Sequence, residues 1–469
     1  MMVDTMVEAA MSEFKQNIRA FCETVDFSSL TPEVAEGMSR GLQQALARAG
    51  VAGYRAFLQE FETQKDVVSA NGEVFRFKGV REKRFLTPFG EMVIERRCFQ
   101  NKSDTKGHVP LDVAWGMVGQ YMAPQVREAV LFSCAHVTPE ETAALLEKCA
   151  LFTPHATAIK HVVEKTGNLV EAHRDELDEA VRSEEEVPED TQAVVVSMDG
   201  VNVLLNEKGL RFGRPAERPG SREAKETSTA YRIAMVGSVT HYGAPEEPGQ
   251  PAPRLQSRYV AHMPERSCPT FKARLEAELD AAQARAPAGT ARLVLLDGSR
   301  QLWNYVDKNP RFEDYDKCID FWHAVEHLSA AAEALFTKNG DDAKNWYEKH
   351  RRILKESDDG AARICRSMDY YAKRLHLNKT RRAQLREQRT YFKRNGKRMH
   401  YATFRQNGWP IGSGPIEAAC KTLVKTRLCR SGMRWSRPGG QRILALRTYV
   451  KSNRWDSAWQ HIKELERAA

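Results

Sequence analysis

Two short apolar runs constrain the fold of this chain more than anything else in it. QAVVVSMDGV (192–201) and RLVLLDGS (292–299) string valines and leucines together and then reach Asp-Gly. Runs of this kind predict strands buried on both faces, as in sheets covered by helices. Asp-Gly breaks such a run as turn chemistry, and after Asp199-Gly200 the apolar pattern resumes as VNVLL. It also leaves a carboxylate, Asp199 or Asp297, at a strand end, where α/β sheets gather functional groups. Further strands are predicted at Ser228–Tyr242, around Arg258–Met263 and at Lys317–Phe321, with a helix over 270–286. The order is three strands, helix, strand, helix, strand, which predicts an α/β sheet. Helices from about Ala324 to Arg405, rich in alanine, leucine and arginine, then form an insertion.

The chain next runs IGSGPIEAACKTLVKTRLCRSGMRWS (411–436), a Gly-Ser-Gly-Pro turn opening a helix with Glu417 in its first turn. Glycine suits the turn and Pro415 suits a first helical position. Ile416, Ala419, Cys420 and Leu423 make one apolar stripe, with Glu417, Lys421 and Lys425 along its edge. These three are either an i,i+4 surface pairing or a metal-binding carboxylate followed by phosphate-binding lysines. Asp199, Asp297 and Glu417, if they converge, supply three hard oxygen ligands, which suit Mg²⁺ or Mn²⁺ and not zinc. Two such ions at a phosphodiester activate the attacking oxygen and stabilise the leaving one.

Charge is distributed to match. The net +9 conceals 29 Lys and Arg against 9 Asp and Glu over residues 351–469, a balance of +20, which leaves the rest at −11. Such an imbalance predicts a polyanionic partner. No apolar stretch approaches a membrane span, and the start of the chain lacks the pattern of a signal peptide. The nine cysteines contain no Cys-x-x-Cys pair. A reducing, cytoplasmic, nucleoid-associated location is expected.

Upstream, residues 1–66 read as helices, and Val74–Phe99 alternates as a β-hairpin closed at Thr87-Pro88-Phe89-Gly90, with basic residues on one side. That basic side either follows a nucleic-acid backbone or protects an exposed edge. Thr138-Pro139 and Thr153-Pro154 signal two amphipathic helices, about Glu140–Cys149 and His155–Thr166. They form either a helix-turn-helix, whose second helix would offer Lys160 to DNA, or an ordinary helical hairpin. SEEEVPED (183–190) reads as an acidic linker.

With SMDGV at Asp199, LLDGSRQLW at Asp297, DFWHAVEHL from Asp320, and above all PIGSGPIEAACKTLVKTRLCRSGMRWSRPGGQRILALR with SNRWDSAW after it, the chain resembles the DDE transposases of bacterial insertion sequences, Kra-type group. The resemblance covers about Gln192–Trp459 and continues more weakly back to about Pro110. It implies a ribonuclease H-like mixed sheet with a helical insertion, preceded by a mostly helical DNA-binding region with a β-hairpin. It implies domains at 1–120, 121–182, 183–323, 324–410 and 411–469. Asp199, Asp297 and Glu417 would be the metal-binding triad, with two Mg²⁺ or Mn²⁺ ions, for cleavage and strand transfer at inverted repeats into target DNA. His323 would sit near the scissile phosphate; the competing reading is a capped helix start. Lys421, Lys425 and Arg427 would contact phosphates, and Arg434 and Trp435 would hold a DNA end, unless Trp435 is a core residue. A homo-oligomer assembled on DNA is implied. A catalytically silent DNA-binding derivative is the alternative. Cys98 stands alone before Pro110-Leu111-Asp112, where relatives carry paired cysteines, so no structural zinc is expected.

Overall fold

The computed structural model describes the chain except Met1, Phe27, Asn71, residues 103–106, 208–229, Pro248, residues 337–339 and Ala469. It divides into two units, Met1–Leu177 with Asp456–Ala469, and Asp178–Trp455.

The first unit opens with α1 (Met2–Cys22) and α2 (Pro32–Gln59), the latter capped by Thr31, whose side chain accepts from Val34 N–H. A four-stranded antiparallel sheet follows in the order β1 (Val67–Ala70), β2 (Glu73–Thr87), β3 (Gly90–Asn101), β4 (Gly107–His108). The expected hairpin is β2–β3, closed where Thr87 pairs with Gly90; the short β1 and β4 carry too few residues for a period to show. Several basic residues of the hairpin turn inward. Arg96 donates to buried Asp112 at 2.6 Å and Lys83 reaches the same oxygen at 3.4 Å. Arg97 lies over Phe77 at 3.9 Å and pairs with Asp66 at 2.8 Å. Asp112 is on α3 (Pro110–Trp115), where Leu111 joins Phe85, Met92 and Ile94 in the core. The Pro-Leu-Asp segment therefore pins the hairpin.

Then come α4 (Pro124–His136), α5 (Pro139–Cys149) and α6 (Ala156–Ala172). Thr138 and Glu141 form a full capping box at the start of α5. The expected cap at Thr153 does not form: α6 starts after His155, with no side-chain cap bond, and runs beyond Thr166. After α7 (Arg174–Ser183) the chain enters its second sheet. The last helix, α18 (Trp455–Ala468), lies almost wholly in the first unit, where Glu466 pairs with buried Arg127 at 2.8 Å and accepts from Thr166 at 3.0 Å.

The second unit holds a mixed sheet of β5 (Ala193–Leu204), β6 (Tyr231–Tyr242), β7 (Arg254–His262), β8 (Ala291–Leu296) and β9 (Asp316–Ile319), in the order β7-β6-β5-β8-β9. The first three pair antiparallel; β8 joins β5 in parallel and β9 joins β8 in parallel. The β6 strand begins at Tyr231, and the first two residues of its expected span lie outside the described residues. The run continues beyond Asp199-Gly200 as expected, but without the expected break there: β5 pairs with β6 continuously from Ala193–Tyr242 to Leu204–Tyr231. The antiparallel partner keeps the backbone extended where the turn-prone dipeptide alone predicts a break.

Helices α8 (Pro269–Arg285) and α9 (Arg300–Lys308) connect the later strands, and α8 buries Phe271, Leu275 and Leu279 in the core the sheet shares. The insertion is α10 (Phe321–Leu335), α11 (Asp341–Glu356), α12 (Gly360–Arg374), α13 (Lys379–Asn395) and α14 (Tyr401–Gln406). Its apolar residues, among them Leu328, Ile364 and Phe392, are continuous with the sheet's core. The acidic stretch after α7 is no free linker, since Glu185 pairs with Arg454 and Arg258.

Candidate active site

Asp199 and Asp297 are brought together by strand register. Val196 of β5 pairs with Val294 of β8; Asp199 lies three residues further along β5, and Asp297 three residues further along the chain, just past the end of β8. The two line one cleft of about 940 Å³, together with Lys272, Arg266 and Tyr305. Burial and the neighbouring Asp199 charge push the Asp297 carboxyl above its ordinary pKa, opposed by the Ser299 N–H that donates to it at 2.8 Å. Asp199 accepts from Gly200 N–H at 2.6 Å and from the Cys420 thiol at 3.5 Å.

Glu417 does not line that cleft. It is exposed on α15 (Gly414–Ala419), and it lines a second cleft, of about 700 Å³, with Asp199, Lys421 and Lys425. Asp199 is thus common to both clefts. The helix start is fixed by Asp320, which is 1% exposed. Its carboxylate caps α10 by accepting from His323 N–H at 2.6 Å and also accepts from Ser413 N–H. Ser413 in turn donates its hydroxyl to Glu417 Oε1 at 2.7 Å. The sequence named Asp320 only as the start of a motif; its spacing from Ser413 hides this tie.

The apolar stripe of the Glu417 helix is buried as expected, at Ile416, Ala419, Cys420 and Leu423. The helix itself is interrupted. Cys420–Lys425 form a π-turn between α15 and α16 (Thr426–Leu428). Such turns loosen the i→i−4 ladder. Buried Arg447, on α17 (Arg437–Lys451), fills the gap, donating to Leu423 O at 2.6 Å, to Thr422 O and to Thr426 Oγ1 at 3.0 Å. Among the described residues Glu417 forms no ion pair with Lys421, and both lysines are exposed without an ion-pair partner. The surface-pair reading of this triplet is therefore not what the structure builds.

His323 stands against the Asp297 loop, for a Cβ added at Gly298 would lie 2.6 Å from its Nε2. The same Cβ would lie 3.2 Å from the ring of Tyr391, a residue of α13. Tyr391 stacks on His327 at 3.6 Å, and His327 meets Gln388 Oε1 at 2.6 Å. The Tyr391 hydroxyl is buried with no hydrogen-bond partner, and burial with the Asp320 and Asp297 charges raises its pKa. Tyr391 is a site residue the sequence did not reveal, since a helical tyrosine 94 positions beyond Asp297 has no local signal.

The other expected DNA contacts divide. Arg427 is 2% exposed, with its guanidinium 5.1 Å from the Trp435 ring. Burial withdraws it from a surface that phosphate reaches. Trp435 is half-buried; its indole N–H donates to Leu428 O at 3.0 Å, and its backbone bridges to Leu205 beyond β5. Arg434 is exposed. Lys160, on α6, pairs with Glu140 at 2.6 Å on the surface.

No family model matches the chain, and no curated protein matches its sequence. Among solved structures, the Drosophila P element transposase strand transfer complex aligns with 73% of this chain and 80% of that chain, at 10% identity and a TM-score of 0.24. A likeness of that size is too weak to bear on fold or activity. Among the described residues no helix is long and apolar enough to cross a membrane.

The donor set at Asp199, Asp297 and Glu417 is all carboxylate, which fits a hard divalent cation, and a cation there would relieve the charge that raises Asp297. As they stand, no three His, Cys, Asp or Glu side chains among the described residues are close enough to hold an ion together.

Proposed function

We propose that this chain is a DNA-processing enzyme of the DDE transposase type, which cleaves DNA at the ends of an insertion sequence and joins the freed 3′-hydroxyl to target DNA. One observation carries the reading: Asp199 lines one cleft with Asp297, 98 positions later, and a second cleft with Glu417, a further 120 positions along. Three antiparallel strands followed by two added in parallel support a ribonuclease H-like assignment for the second unit.

Asp199, Asp297 and Glu417 would hold Mg²⁺ or Mn²⁺, which supplies activation of the attacking oxygen and stabilisation of the leaving one. The chain's own groups divide the remaining work. Ser299 N–H and the Ser413 hydroxyl hold one oxygen each of Asp297 and Glu417, limiting the directions the carboxylates take. Lys421 and Lys425 present unpaired ammonium groups beside Glu417 to the phosphate backbone. His323, whose Nε2 lies against Gly298 next to Asp297, would donate to a phosphate oxygen there.

The test is to incubate the full chain with labelled DNA carrying the element's ends, with Mg²⁺ and with EDTA. Joined products that require Mg²⁺ support the reading. Cut products alone indicate a nuclease, and a mobility shift without cutting indicates the silent DNA-binding alternative.

A further inference from the structure

Burial divides α13 into two faces. Leu385, Gln388, Tyr391 and Phe392 are buried, and Tyr391 is the one that meets the Asp297 loop at Gly298. At 100° per residue, Lys379, Arg382, Arg386 and Lys393 fall within about 60° of one another on the far side. All four are exposed. They run along about 21 Å of helix. What they lack sets them apart from the cations beside them. Arg389 grips Asp369 of α12 with two nitrogens, at 2.6 and 2.7 Å, and Arg381 donates to Ala334 O at 2.9 Å and Phe336 O at 2.6 Å. Among the described residues the four form no ion pair, and their side chains make a single hydrogen bond, from Arg382 Nε to Leu377 O at 3.0 Å.

By itself this arrangement works against the helix. Lys379 and Arg382 are i,i+3 neighbours and Arg382 and Arg386 are i,i+4 neighbours, so like charges stand over one another. The first turn of α13 holds no acid, and there Lys379 and Arg382 meet the positive end of the helix dipole. A polyanion relieves both repulsions at once. Duplex DNA is the polyanion whose charges stand in a straight, regular row, and over about 21 Å one strand presents about six phosphates. A rigid helix with a row of cations matches such a rod.

We propose that the exposed face of α13 is a second DNA-backbone track, separate from Lys421 and Lys425, which holds duplex away from the reacting phosphate. The inference rests on the DNA-processing reading and adds where further duplex is held. Tyr391 meets the Asp297 loop from one side of α13 and the four cations leave from the other, so DNA on them lies about one helix diameter, ~10 Å, beyond that loop. The contact is to phosphates and reads no sequence.

The test uses the full chain and a fluorescein-labelled blunt duplex of arbitrary sequence, titrated at several salt concentrations. Lys379→Gln, Arg382→Gln, Arg386→Gln and Lys393→Gln together are expected to weaken binding about tenfold or more. They should lower the slope of log affinity against log salt by about 0.9 per lost contact, up to about 3.6. Lys379→Arg with Lys393→Arg, which keeps the charge, should keep the wild-type slope. Without DNA, the thermal midpoint of the fourfold variant should stay level or rise, because repulsion is removed. Unchanged slope and affinity, in a wild type that binds duplex, overturn the track and leave the DNA-processing reading in place. A lowered midpoint together with lost binding also overturns it, by making the face structural. A larger loss on a single-stranded RNA probe than on the duplex overturns it in favour of RNA. Wild-type protein that binds no duplex at any salt concentration overturns both readings.

Discussion

Asp297 carries a charge that the fold works against. Its folded pKa lies above the ordinary carboxylate value because of burial and Asp199, so at neutral pH its ionised form costs stability. Asp297→Asn removes that charge and keeps the shape. It is expected to abolish DNA cleavage, leave DNA binding intact or slightly stronger, and leave the thermal midpoint unchanged or higher. A lowered midpoint would make Asp297 a structural residue, and loss of cleavage would then say little. His241 offers a pH test away from the acids. It is 1% exposed, and burial pushes its pKa down to about 4. A His whose folded pKa is depressed leaves stability intact above the unfolded value near 6.5 and takes it away as pH falls toward 4. Over that window wild type should lose up to about 3 kcal/mol more than His241→Gln, read from urea midpoints at several pH values.

At the scale of elements, the segment from Gly414 to Leu428 is three pieces of helix in sequence. The π-turn sets how Lys421 and Lys425 follow Glu417, and Arg447 satisfies the carbonyls that the turn leaves open. If the two lysines meet phosphate, Lys421→Ala with Lys425→Ala should reduce the slope of log affinity against log salt by about 0.9 per lost contact. Folding should change by less than about 0.5 kcal/mol, because both side chains are exposed. An unchanged salt slope would return them to ordinary surface lysines. Asp320 works at the same scale, tying the start of α10 to the start of α15 through Ser413. The Glu417 carboxylate on one helix is therefore tied, through Ser413, to the capping residue of another.

At the scale of the molecule, the first unit is completed by the end of the chain. Arg127 is 2% exposed and Glu466 lies 339 residues later, yet they form a buried pair. Removing one member of such a pair leaves a buried charge alone and costs about 3–5 kcal/mol. Glu466→Ala should destabilise the first unit by that order, measured by denaturant unfolding. A fragment of residues 1–180 should be less stable than one carrying residues 456–469 as well; equal stability would show that Arg127 finds another partner.

What the sequence determined by itself was whatever local chemistry encodes. The apolar runs at 193–198 and 292–296 gave strands, Thr138-Pro139 with Glu141 gave a capped helix, and alternation through Val74–Phe99 gave the hairpin. The apolar stripe from Ile416 to Leu423 gave the buried face of the Glu417 segment. The tertiary structure alone decided what depends on partners distant along the chain. It carried β5 through Asp199-Gly200 because β6 pairs beside it, and it buried Arg427 while leaving Lys421 exposed. It aimed the Tyr391 ring at the Asp297 loop from the insertion, and it sent Glu466 back to Arg127. Periodicity and capping act over a few residues and are written in the order of the side chains. The meeting of remote charges is set by how strands and helices pack, and a single sequence carries no local trace of it.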